Sequence, residues 1–201
     1  MSQLEETPSG FSDQPSQITS LLEKIRGGDA SAKDKLFQLV YQELHQNAER
    51  LRRASEDSLS ATELVHEVFL RFGDGRIWSK AINRRYFYAA AARAMKQILV
   101  DRSRERRAQK RGGNRRRVPI DELLEQFETT TSVADVLDLD DALKRLETEK
   151  PRQYEVVLHR YFGGMTVAET AGLLEVAPAT VEKDWRLARA WLYRELEANG
   201  S

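Results

Sequence analysis

Apolar residues recur along this chain every three to four positions, the spacing that gives a helix one buried face. Ile18, Leu21, Leu22 and Ile25 form a first stripe, stopped by Gly27 and Gly28. Asp29 or Ser31 can cap the next helix, whose stripe is Leu36, Leu39, Val40, Leu44, Ala48 and Leu51. A third helix is predicted over residues 61–72, with Leu64, Val65, Val68, Phe69 and Phe72 inward and Gly73-Asp74-Gly75 closing it. The fourth, NRRYFYAAAARAMKQILVDRSRERRAQKRGG, spans residues 83–113. Phe87, Ala91, Ala94 and Ile98 fall on one side of it, and Arg85, Arg93, Lys96 and Arg107 on the other. Two-residue alternation is convincing nowhere, so the predicted class is all-α.

The helical pattern weakens after residue 112, through a Gly-Gly-Asn break, Pro119, a short helical turn near residues 121–127 and a Thr-rich stretch. It resumes near Val136. This divides the chain into a flexible tail (residues 1–16), a first helical unit (17–112), a linker (113–135) and a second unit (136–197). In the second unit Leu139, Leu143 and Leu146 share one helix, which ends before Pro151, and Tyr154, Val157, Leu158, Tyr161 and Phe162 share the next. Thr166 then caps a short helix over residues 167–174. A three-residue turn follows, and Pro178 stands at the first position of a last helix that runs to about residue 195.

A short helix, a tight turn and a longer helix make a helix-turn-helix candidate, although such pairs are also common as plain packing units. Val181, Trp185, Ala188 and Leu192 form the inward face of the last helix. Thr180 lies near the exposed edge, and Glu182, Lys183 and Arg186 point outward near its N-terminal end, the end a recognition helix presents to the major groove. Arg and Lys can pair with guanine edges, Glu can accept from cytosine, and Thr can touch a thymine methyl. Arg189 is placed for phosphate.

Charge sharpens this picture. The chain has 32 basic and 32 acidic residues, for a formal net charge of zero. Yet residues 101–117 carry nine bases and two acids, and residues 118–149 carry ten acids and two bases. Blocks of opposite sign suggest separate surfaces with separate partners, and a basic helix ending in an arginine run suits a nucleic-acid backbone. Cysteine is absent, so neither a disulfide framework nor a thiolate metal site is available. No signal peptide or membrane span is predicted, and the expected location is the cytoplasm.

Enzymatic readings find no support. His45, His66 and His159 lie far apart in sequence, and Leu70 stands where a zinc-protease motif begun at His66-Glu67 needs its second histidine. Asp138, Asp140 and Asp141 lack the glycine and distal glutamate of a calcium loop. No catalytic residue, cofactor or metal is expected. A stand-alone helix-turn-helix regulator would explain the second unit equally well, but leaves the basic helix of the first unit unexplained.

Four stretches resemble bacterial RNA polymerase sigma factors of the extracytoplasmic-function (ECF) type, closest to an ECF-like sub-branch with an Ala-rich second-region helix. ATELVHEVFLRF (residues 61–72) is similar to region 2.2, and FYAAAARAMKQILVDRSRERRAQKRGG (87–113) to the end of region 2.3 and region 2.4. HRYFGGMTVAETAGLL (159–174) and VAPATVEKDWRLARAWLYREL (176–196) are similar to the halves of region 4. The resemblance implies a specificity subunit that binds core RNA polymerase and promoter DNA and directs transcription initiation. Glu63, His66 and Glu67 would meet the clamp helices of the large subunit, where a solvated helix face is the plainer reading. Trp78, Ser79 and Asn83 would hold an unstacked −10 base, with Trp78 equally readable as a core residue. Arg85, Arg93, Lys96 and Arg102 would track phosphates, and Gln97 could touch a base. Thr180, Glu182, Lys183, Arg186 and Arg189 would dock on −35 duplex. The acidic linker would lie in the polymerase's positively charged cleft.

The chain departs from the family pattern at Thr170, Glu175 and Ala177, where a large aliphatic residue, a turn glycine and a small polar cap are usual. Gly172 adds a helix-weakening residue, at roughly 1 kcal/mol relative to Ala. An anti-sigma factor is a candidate further partner, and the free chain is expected to be a monomer. Because the resemblance covers nearly everything but the tail, regulation is expected from another protein, from expression level or from modification.

Overall fold

Residues 14–52, 59–73, 78, 81–109, 117–119 and 133–199 are described by the structure, a computed structural model. Four helices build the N-terminal half: α1 (Gln14–Arg26), α2 (Ser31–Arg52), α3 (Ala61–Phe72) and α4 (Arg84–Gln109). Helix is present from Gln14, inside the span expected to be tail. The C-terminal half holds α5 (Val136–Glu149), α6 (Pro151–Val157), which runs on into a π-helical turn (Leu158–Phe162), then α7 (Val167–Leu174) and α8 (Pro178–Asn199). The fold is all-α.

Strands β1 (Arg117–Pro119) and β2 (Val133–Asp135) pair antiparallel, with Val118 opposite Ala134. No strand was expected there. Alternation becomes legible over four to eight residues, and these strands have three each.

The helix starts have local causes. Ser60 caps α3 through its side chain, which accepts from the Glu63 amide at 3.1 Å, while the Glu63 carboxylate accepts from the Ser60 amide at 2.7 Å. Thr166 and Glu169 repeat this reciprocal pair at α7, at 3.2 and 2.9 Å. At α4 the Asn83 side chain accepts from the Tyr86 amide at 3.2 Å.

The turn between α7 and α8 contains a strained residue. Glu175 sits at φ 56° and ψ 41°, left-handed backbone that favours glycine. Glu175→Gly is therefore expected to stabilise the chain by about 0.5–1 kcal/mol, after allowing for glycine's freer unfolded state. A rise of about 1–4 °C in melting temperature would register it. An unchanged or lower melting temperature would count against strain at this turn.

The buried side chains do not split at the expected linker. One cluster runs from Ile18 to Leu192 through both halves, and a satellite of Val156, Ala171 and Val181 lies under the helix-turn-helix. Helix α4 joins the halves: it packs on α1 and α3, and also on α5, the π-helical turn and α7. Its residues Phe87, Ala91, Ala94 and Ile98 are buried as the stripe predicts, and so are Ala89, Ala92, Met95, Leu99 and Val100 on the remaining sides. From Phe87 to Val100 most side chains are thus buried, leaving a polar strip at Arg93, Lys96 and Gln97. Four successive alanines let neighbouring backbone come close. A Cβ placed on Gly163 at the end of the π-helical turn would sit 3.1 Å from that of Ala92.

Candidate nucleic-acid interface

Two surfaces carry the expected chemistry, and the tertiary structure treats them differently. On α8, Glu182, Lys183 and Arg186 are all exposed, one beside the next at the N-terminal end, with Thr180 half-buried at their edge. Their scaffold is packed and tied down. Val181, Ala188 and Leu192 are buried, and the buried Asp184 carboxylate accepts from Arg152 at 2.5 and 3.3 Å, tying α8 to α6. Arg189 corrects the expectation of a phosphate contact: it is buried, with its guanidinium 5.5 Å from the centre of the Trp185 ring. Arg160 lies over the same ring at 4.6 Å. Arg189 shares the inward side with Ala188 and Leu192, where its stem packs and its cation meets an aromatic face.

The cations of α4 have partners within the chain, although Arg85, Arg93, Arg102 and Arg104 are exposed like the α8 row. Arg93 donates to both Glu155 carboxylate oxygens, at 2.9 and 2.7 Å. Lys96 lies 3.0 Å from one oxygen of Asp140, and Arg104 lies 3.1 Å from the other. Arg84 pairs with Glu169, and Arg85 donates to the Gly172 carbonyl at 3.0 Å. A Cβ on Gly172 would meet the Arg85 guanidinium at 2.6–2.8 Å, so this glycine leaves room for that side chain. Arg102 pairs instead with Glu67 of α3 at 3.2 Å, and Gln97 donates to Asp101 at 2.8 Å.

The carboxylates facing α4 are tuned for charge. Burial alone would raise Glu155, but the hydrogen bond from His159 and the charge of Arg93 outweigh it and hold it below its ordinary value. Burial likewise opposes, and Lys144 and Lys96 override, at Asp140. At Glu169 burial is overcome by Arg84 and by Thr166. Burial, then the Glu43 carboxylate, push the Tyr88 hydroxyl far up, so it stays a donor to Glu43. A carboxyl lowered in the folded state contributes stability that is fully present above its unfolded value, near about 4, and lost as pH falls through the folded value. Melting temperature is therefore expected to hold from about pH 7 to 5 and to drop below about pH 4. Replacing Asp140, Glu155 and Glu169 by their amides should make that acid slope shallower; an identical slope would show that these groups do not set it.

Near the start of α4 the aromatic expected to hold a base is a core residue. Trp78 is buried, edge-to-face with Phe72 at 5.5 Å and stacked toward Phe87 at 6.5 Å, and Lys33 lies 5.8 Å from its ring centre. That corrects its assignment, because no ring face is left for a base. Asn83 is the α4 cap, and Ser79 lies outside the described residues, as do residues 110–116 and 120–132. Tyr86 and Ile82, both 47% exposed, stand open beside the cap and were missed. The signal was present: Tyr86 falls one residue off the stripe that begins at Phe87.

On α3, His66 is exposed, Glu67 pairs with Arg102, and Glu63 is held in the capping box. Leu70 is 77% exposed and shares their face at i+7, i+4 and i+3. Sequence reasoning passed over it because it lies off the inward stripe.

Among the described residues no helix is long and apolar enough to cross a membrane. No curated protein matches the chain significantly. The family model described as ECF sigma factor matches residues 15–198, from the second residue of α1 to the last but one of α8. That match covers well over half of the chain, which therefore belongs to the ECF sigma factor family, whose members serve RNA polymerase in transcription initiation.

Proposed function

We propose that this sigma factor directs core polymerase to its promoters through three surfaces. Thr180, Glu182, Lys183 and Arg186 of α8 read the −35 duplex from the major groove. The basic side of α4, with Arg85, Arg93, Lys96 and Arg102, follows the −10 strand; Gln97 reaches a base, and Tyr86 beside the Asn83 cap offers the stacking face that Trp78 does not. Glu63, His66 and Glu67, joined by Leu70, meet the clamp helices of the large subunit. Residues 17–112 then act as region 2 and 136–197 as region 4.

The observation that carries the reading is the row Glu182, Lys183, Arg186, exposed at the N-terminal end of a helix whose opposite face is locked in the core. The need for a larger machine follows from magnitudes. Opening on the order of 12 base pairs at ~1.4 kcal/mol per step costs roughly 17 kcal/mol. Each captured base returns about 1–3 kcal/mol, and a surface this small holds one or two. Core polymerase must supply the rest.

Run-off transcription with purified core polymerase on fragmented genomic DNA tests this directly. Discrete start sites sharing two upstream elements are expected. A chain that ignored core polymerase and bound a palindromic duplex as a dimer would fit a stand-alone regulator instead.

A further inference from the structure

A cation from outside α8 stands beside its reading end. Arg152, the second residue of α6, gives two of its five N–H groups to Asp184 of α8. Its Nε lies 2.5 Å from one carboxylate oxygen, and one terminal nitrogen lies 3.3 Å from the other. The two side chains differ sharply in exposure: that of Asp184 is 3% exposed and that of Arg152 is 59% exposed. Pairing therefore fixes one edge of the planar guanidinium and leaves its other edge directed away from the carboxylate. Helix geometry locates this cation. Glu182, Lys183 and Arg186 lie within roughly 100° of one another around α8, and Thr180 and Asp184, four residues apart, stack on the flank next to Lys183. A helix with its side chains is about 10–12 Å across and the major groove about 12 Å wide, so the bordering phosphates lie against the helix flanks. Arg189, the α8 cation expected to meet phosphate, is buried over Trp185. The flank cation comes instead from α6.

We propose that Arg152 holds a phosphate of the −35 duplex, with Asp184 as the positioning residue that orients it. The proposal rests on the reading of −35 duplex by α8 given above. A guanidinium held by a buried carboxylate loses little further freedom when it meets a phosphate. A phosphate contact carries no base information. Arg152 thus supplies grip and register, while Glu182, Lys183 and Arg186 supply sequence choice.

Promoter fragments with single neutral methylphosphonates, placed one at a time along the −35 element found by run-off, test this. The protein is polymerase reconstituted from core and the full-length chain. One phosphate is expected whose neutralisation weakens wild-type binding about tenfold. Arg152→Gln with Asp184→Asn removes one charge of each sign, so the net charge is unchanged and no carboxylate is left buried alone. This double variant should bind the unmodified fragment about tenfold more weakly and lose its response to that one phosphate. Its slope of log affinity against log salt should be shallower by about 0.9, the share of one phosphate contact. Its preference among −35 sequences should be unchanged.

Arg152→Lys keeps a cation beside Asp184 and should keep most of the response at that phosphate. A loss as complete as in the double variant would overturn the proposal. So would a double variant that answers the methylphosphonates as wild type does, or one weakened alike at every phosphate, the mark of a structural role alone. Arg186→Ala separates the two layers of the reading. If it loses −35 preference while Arg152 couples to no phosphate, only the role of Arg152 falls. If it keeps that preference, the placement of α8 on −35 duplex falls, and Arg152 with it.

Discussion

Truncating Phe72 to alanine is expected to cost about 3–5 kcal/mol of stability, the range for deleting a fully buried aromatic ring. Phe72 is completely buried at the end of α3, edge-to-face with Trp78 at 5.5 Å and with Phe87 of α4 at 5.7 Å. Such pairs add about 0.5–1.5 kcal/mol each beyond the area they bury. The loss would be read as a lower urea midpoint. It should be joined by weaker polymerase binding, because Phe72 seats the helix that carries His66 and Leu70. A change below about 1 kcal/mol would show that the three-ring cluster does not hold α3 to α4.

Arg186→Ala should leave stability within about 0.5 kcal/mol, since the residue is exposed. Its expected effect is on choice of promoter: a loss of about 1–3 kcal/mol in discrimination at one −35 position, or roughly 5- to 150-fold in relative run-off yield. Arg189→Ala is the informative contrast. Because Arg189 is buried over Trp185, its removal should lower the melting temperature and leave the −35 preference in place. If Arg186 and Arg189 exchanged these roles, the orientation assigned to α8 in the groove would be wrong.

Trp78 and Arg189 show where residue type misleads. A tryptophan between α3 and α4 and an arginine on α8 both suit DNA by residue type, and both are buried here. Side-chain chemistry was legible, but the direction each side chain takes depends on neighbours remote in sequence: Phe72 and Phe87 for Trp78, and the packing of α8 for Arg189. Tyr86 and Leu70 are the reverse case. Neither lies on an apolar stripe, and each is exposed.

Helix positions, their caps, the helix-turn-helix and the segregated charge were all determined by local sequence. Each depends on residues within a few positions of one another: Ser60 with Glu63, Thr166 with Glu169, Pro178 at a helix start. Tertiary structure alone decided that α4 is covered on two sides. Alanine is short enough to lie at the surface or under a neighbouring backbone, so periodicity could not tell whether the side of α4 opposite Phe87 faces solvent, DNA or the rest of the chain. Only the approach of Gly163 to Ala92, and of Asp140 and Glu155 to the cations beside it, settles what α4 touches.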